Sequence, residues 1–177
     1  MIDGVRLLCF YGPESTGKTV MARRMAEVFQ TGYVPEVARE MITSNDFSLD
    51  DIIRIGRAQN ARVLEKVKTA NRILFCDTDV ITTQIYSQQY LHEVPAVLLE
   101  LEKQVRYDQY FFFFPDVPWL PDGLRDLGHK REEMTLAFRT ALEKRKIPFI
   151  EVKGSYEERE RFLIDYVSAT FRAFPTL

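Results

Sequence analysis

The chain has 177 residues, 46% of them apolar, with 24 basic and 26 acidic side chains and a net charge of −2. That size and apolar content predict one domain, 1–177, with a core of its own, and the near balance of charge, with no basic stretch, argues against a nucleic-acid partner. No apolar segment approaches the roughly 20 residues of a membrane helix, and Met1-Ile2-Asp3-Gly4 lacks the makings of a secretory signal, so a cytoplasmic protein without a membrane partner is expected.

The first apolar run, Val5 to Tyr11, predicts a buried strand, and helical periodicity begins at Lys18 and runs to Phe29. Between them stands Gly12-Pro13-Glu14-Ser15-Thr16-Gly17-Lys18-Thr19. A strand before it and a helix after it give that pattern its meaning as a phosphate-binding loop. Glycines allow the backbone amides to turn inward on a tetrahedral anion, and the helix presents its positive end. Lys18 would reach the outer phosphates and Thr19 would ligate magnesium. Gly12, Glu14, Ser15, Thr16, Gly17, Lys18 and Thr19 are thus candidate nucleoside-triphosphate-binding residues, Lys18 with a catalytic role as well.

A short strand at Tyr33-Val34 leads to Glu36, placed where a P-loop kinase holds its acceptor. A carboxylate within reach of a hydroxyl can take its proton during attack on the γ-phosphate. Arg39 suits the acceptor or the transferred group, or simply an exposed helical face. Ser48, with Asp51 three residues on, predicts the capped start of a helix from Leu49 to Ala70. The strand Ile73 to Cys76 then ends in Asp77, as a Walker B strand ends, and a hard oxygen there suits magnesium. Asp77 also competes with Glu36 for the acceptor proton. Asp79 falls at the same end of the sheet, where ligands of open α/β sheets bind, and Thr78, Thr82 and Thr83 suit a sugar hydroxyl or the cap of the next helix, Thr82 to Tyr90.

After a helix from Ala96 to Val105 comes a strand from Tyr110 to Phe114 with four successive phenylalanines, Phe111 to Phe114. A central strand covered on both faces explains them more simply than a stacking platform. The segment from Pro115 is rich in proline, glycine and charge, and it predicts a lid at 115–131. Within it Arg125 is the first choice for a cation closing over the phosphates, and Trp119 either stacks on a ligand or anchors the loop. A helix from Arg131 to Lys144 and a strand from Phe149 to Val152 follow. The tight connection Lys153-Gly154-Ser155-Tyr156 would let a base approach the backbone, which makes Gly154 and Ser155 a candidate adenine seat; Ser155 also reads as the cap of a last helix, Tyr156 to Phe171. Cys9 and Cys76 fall in strands and read as reduced core residues, while His92 and His129 lack metal-ligand spacing. Together these elements predict an α/β fold: a three-layer P-loop NTPase sandwich with a mostly or wholly parallel five-stranded sheet flanked by helices.

Four segments carry a more specific likeness: the loop at 12–19, Pro-Glu-Val-Ala-Arg-Glu at 35–40, Asp-Thr-Asp-Val-Ile-Thr-Thr-Gln at 77–84 and Asp-Gly-Leu-Arg-Asp-Leu-Gly at 122–128. In their order and spacing the chain resembles, over nearly its whole length, the ribosylnicotinamide kinase domain of NadR-type proteins, within the P-loop small-molecule kinases. The resemblance implies ATP and magnesium as cofactors and phosphorylation of the ribose 5′-hydroxyl of nicotinamide riboside, giving nicotinamide mononucleotide in pyridine-nucleotide salvage. Members often carry a nucleotidyltransferase domain ahead of this kinase, and no adenylyltransferase activity is expected here. The family also commonly places a larger aromatic residue near the acceptor ring in the neighbourhood of Pro35; this chain departs from that pattern and offers Tyr33, two positions earlier, as the candidate. A kinase for another nucleoside or for a nucleotide, with further cations at Arg39, Arg54 or Arg57, is the alternative. A regulatory ATPase is disfavoured, since the chain lacks an Asn-Lys-x-Asp signature and an Asp-x-x-Gly switch after the third strand.

Overall fold

The computed structural model describes residues 2, 4–120 and 126–171. Among them are five strands: β1 (Arg6–Tyr11), β2 (Tyr33–Val34), β3 (Ile73–Asp77), β4 (Gln109–Phe113) and β5 (Phe149–Val152). They pair in the order β2-β3-β1-β4-β5, and every pairing is parallel. Parallel neighbours cannot be joined by a tight turn, so helical crossovers cover both faces and each strand becomes apolar on both sides. The crossovers are α1 (Lys18–Val28), α2 (Ala38–Met41), α3 (Leu49–Val67), α4 (Val80–Leu91), α5 (Ala96–Glu102) and α6 (Arg131–Lys144), with α7 (Tyr156–Phe171) after the last strand. No helix among the described residues is long and apolar enough to cross a membrane.

Strand alternation sorts the core into layers. Leu8, Phe10, Phe75, Phe111 and Phe113 face Met21 and Met25 of α1 and Leu163 and Val167 of α7. Cys9, Tyr11, Tyr110 and Phe112 face Ile81 of α4 and Phe138 and Leu142 of α6. Leu7, Val34, Leu74 and Cys76 lie against Val63 and Val67 of α3. Phe111, Phe112 and Phe113 are wholly buried. Phe113 meets Phe10 at 4.9 Å between ring centres, a geometry that adds to simple burial. Phe111 to Phe113 are therefore core on both faces of β4, while Phe114 lies just past the strand and is half-buried.

Element ends differ from the sequence reading for local reasons. α4 starts at Val80 because Asp79 caps it; α3 stops at Val67; and Asp77 belongs to β3, in register with Phe10. α2 and a 3-10 turn at Leu127–Lys130 are single turns, too short to leave a periodic signal. Ser48 caps α3 by accepting from the Asp51 amide at 3.2 Å while Asp51 accepts from Ser48 in return, and Ser155 caps α7 through the Glu158 amide.

Candidate active site

The loop after β1 requires its glycines. Gly12 has φ +134°, and a Cβ there would sit 2.7 Å from the Phe113 carbonyl oxygen. Gly17, at φ +84°, precedes α1 and would collide with the Tyr156 ring at 2.9 Å. No side chain caps α1 and no acid lies in its first turn, so its leading amides and its dipole stay open to an anion. Lys18 is buried with its Nζ donating to the Pro13 carbonyl at 2.6 Å. Burial lowers its pKa, because an ammonium held away from water loses its hydration, and the nearby Asp77 and Glu36 charges only partly offset that loss.

Behind this loop the Thr19 hydroxyl donates to Asp77 Oδ2 at 2.5 Å. Asp77 is fully buried, its Oδ1 finds no hydrogen-bond partner, and burial followed by the Glu36 charge pushes its carboxyl up to about 6. An orphaned buried carboxylate oxygen beside a hydroxyl is a hard-oxygen donor set, and it fits a magnesium ion. Glu36 is partly exposed and accepts from Arg39 Nε at 2.9 Å. Thr78 follows β3 with φ +70°, a strained conformation for a β-branched residue of the sort that collects at functional sites.

Two cavities open over these groups. One runs along the phosphate loop from Gly12 to Val20 and is closed by Pro118, Leu120 and Tyr156. The other is largely apolar and aromatic, with Ile42, Phe47, Ile52, Ile55 and Tyr90 on its walls. They share Glu14, Glu36, Arg39, Thr78, Thr82 and Tyr86 as a common wall.

The remaining expected site residues divide. Thr82 lies on the common wall, although its hydroxyl also donates to Asp79 at 3.1 Å. Asp79, expected on the substrate, lines neither cavity. Its Oδ1 accepts from the Thr82 amide at 2.9 Å and its Oδ2 from the Tyr110 hydroxyl at 2.8 Å, so both oxygens are committed to scaffold. Tyr33, expected near the acceptor ring, packs on the α1 layer of the core and also lines neither cavity. Trp119 anchors the loop: its indole lies where a Cβ on Gly128 would fall, with the Arg131 guanidinium 5.8 Å from the ring centre. The Gly154 amide donates to Asp116 at 2.8 Å and Ser155 is engaged with Glu158, so the residue of that connection that faces the phosphate-loop cavity is Tyr156. Arg125 lies outside the described residues.

Several residues at the site escape sequence reasoning. Gln59 of α3 accepts from the Val37 amide at 3.0 Å, which leaves its Nε2 without a partner on the apolar cavity. The segment after β4 is fastened to the phosphate loop from both sides: Leu120 N–H donates to Ser15 Oγ at 2.8 Å, and Leu127 N–H donates to Glu14 Oε1 at 2.9 Å. Arg131 donates to the Ser15 carbonyl at 3.2 Å, and Tyr90 of α4 donates to Asp126. Arg159 is wholly buried beneath the loop and donates to the carbonyls of Gly154, Thr16 and Phe114 and to Asp116. One signal for it was present in the sequence: it shares a helical stripe with Leu163 and Val167, at i, i+4 and i+8.

A family model described as an AAA domain matches residues 7–159. The chain is 31% identical, over 166 residues, to the trifunctional NAD biosynthesis/regulator protein NadR of Escherichia coli (strain K12), covering 88% of this chain and 40% of that protein. It thus spans well under half the length of the curated relatives it matches. The solved structure of NadR protein in complex with NR aligns at a TM-score of 0.82 and 23% identity, covering 98% of this chain and 53% of the other. The structure of NadR protein in complex with NAD and AMP-PNP aligns at 0.83 and 21%, covering 95% and 50%. The resemblance read from the four sequence segments therefore holds along most of the chain, and the three-layer parallel fold holds with it.

Proposed function

The chain belongs to the AAA-domain family, and on that premise we propose that it is an ATP-dependent kinase that phosphorylates the ribose 5′-hydroxyl of nicotinamide riboside. The observation that carries this reading is the pair of cavities meeting at Glu14, Glu36, Arg39, Thr78, Thr82 and Tyr86. A phosphate loop on one side and an aromatic chamber on the other bring a donor and a ring-bearing acceptor together at a wall of charged and hydroxyl side chains. The likeness to NadR, whose solved forms hold NR in one case and NAD with AMP-PNP in the other, supports the same assignment.

In this reading the open amides of α1 and Lys18 hold the triphosphate, and Tyr156, Val20 and Leu120 flank the adenine more directly than Gly154 or Ser155. Thr19 and Asp77 would hold magnesium, which neutralises phosphate charge when bound. Glu36, on the wall common to both cavities and oriented by Arg39, is the proton acceptor for the sugar hydroxyl. Asp77 is already engaged with Thr19. Residues 115–131 act as the lid, closing off water while Arg131 and the expected Arg125 add positive charge. The setting is cytoplasmic, where ATP and a free nucleoside are both present. A nucleoside monophosphate is a poorer acceptor: Arg39 is the cation on the apolar cavity among the described residues, while Arg54 and Arg57 are exposed on α3.

An ADP-release assay across nucleosides tests this reading. Nicotinamide riboside is expected to give the highest kcat/KM; ADP release independent of any nucleoside would favour a regulatory ATPase instead. Within that assay Glu36→Gln is expected to lower kcat on the order of a hundredfold with ATP binding little changed. Normal turnover in Glu36→Gln would remove Glu36 from the base role.

A further inference from the structure

The apolar cavity has an unusual charge inventory. Among the described residues on its walls, three are charged: Glu14, Glu36 and Arg39. Glu36 and Arg39 are bonded to one another and largely offset. Glu14 is different. It is a carboxylate at the tip of the phosphate loop, 9% exposed, and no cation is bonded to it among the described residues. Its Oε1 accepts the Leu127 amide at 2.9 Å, which fixes the carboxylate in place. Tyr90, on the same cavity wall, donates to Asp126, the residue before Leu127. The apolar cavity and the Asp126-Leu127 stretch thus meet at two neighbouring points, one of which presents the Glu14 carboxyl group to the cavity.

We infer that Glu14 is a specificity-determining residue: held by the Leu127 amide, its carboxylate selects acceptors whose base carries a positive charge over neutral bases of the same shape. The inference rests on reading the apolar cavity as the acceptor site. An uncompensated carboxylate in a partly enclosed, aromatic-walled chamber costs free energy when the chamber holds a neutral ring, and a cation of matching size offsets that cost. Burial holds the Glu14 carboxyl up at about 7, so its ionised form is one that an adjacent cation would favour. Its position on the phosphate loop is otherwise adverse, since it adds negative charge beside a triphosphate. A cationic acceptor turns that adverse charge into a selective one.

The test compares nicotinamide riboside, whose ring is a cation, with its reduced dihydronicotinamide form, which has nearly the same shape and no charge. In the wild-type protein kcat/KM for the cation is expected to exceed that for the neutral form by on the order of tenfold or more. Glu14→Gln keeps an oxygen for the Leu127 amide and removes the charge, and it should bring that ratio down by about tenfold. A structural role alone would lower both values together and leave the ratio unmoved. Equal wild-type values, or a ratio unchanged in Glu14→Gln, overturn the inference while leaving the kinase reading intact. Turnover of neither riboside removes the kinase reading and this inference with it. Should Glu14→Gln fail to fold, binding of the two ribosides to the wild-type protein with a nonhydrolysable ATP analogue decides the matter: preference for the cation supports the role, and equal affinity overturns it.

Discussion

Lys18→Ala is expected to lower turnover on the order of a thousandfold while the protein keeps its fold. The asymmetry follows from where the side chain sits. The ammonium is buried and donates to the Pro13 carbonyl at 2.6 Å. Removing it costs about 1 kcal/mol of hydrogen bonding, and it relieves a desolvation that already lowers the amine's pKa. With a triphosphate present, the same buried charge faces an anion, and its contribution grows as negative charge develops on the transferring oxygens. Thermal unfolding without ATP should therefore stay within a few degrees of wild type, and the stabilisation by added ATP should shrink. A folded Lys18→Ala protein with wild-type turnover would overturn the kinase assignment.

Arg159→Met is expected to act in the opposite way, through stability first. The guanidinium is wholly buried and joins α7 to three carbonyls, with donor distances of 2.8 Å to Gly154, 2.6 Å to Thr16 and 3.0 Å to Phe114. It also pairs with Asp116. Methionine approximates the volume and supplies no donor, so three acceptors and a carboxylate lose their partner together. A loss of about 3 kcal/mol or more follows, which for a chain of this size lowers the melting temperature on the order of 10 °C. Because Thr16 belongs to the phosphate loop, ATP affinity should also fall, by about tenfold, at temperatures where the variant is folded. Arg159→Lys should restore little, since one ammonium cannot reach the positions that the planar fork spans. An unchanged melting temperature in Arg159→Met would mean that water replaces the guanidinium and that Arg159 does not brace the loop.

The two acidic positions after β3 show how far local pattern reaches. An apolar strand ending in a carboxylate was legible, and Asp77 stands beside Thr19 as that pattern requires. Asp79, two residues on, looked equivalent in sequence. It is instead turned into the α4 cap and onto Tyr110, a partner 31 positions away. Tyr33 is a second case. Its proximity to Pro35 in sequence suggested the acceptor ring, but β2 pairs with β3 so that Tyr33 lies opposite Phe75. Residues in register share a face of the sheet, and that face is packed on α1.

What the sequence determined by itself is the chemistry that depends on neighbours a few positions apart. The five apolar strands, the glycines whose backbone an anion needs, the Lys18-Thr19 pair opening α1 and the serine caps at Ser48 and Ser155 are all of this kind, because turn geometry, capping and periodicity act over one or two helical turns. Tertiary structure alone decided which side chains meet across the sheet. The Leu127 amide reaches Glu14 over a separation of 113 residues, and Arg159 reaches Thr16 over 143. Contacts of that span follow from strand order and register rather than from any local preference, and they are what divide the crevice above the strands into a phosphate side and an aromatic side with Glu14 and Glu36 between them.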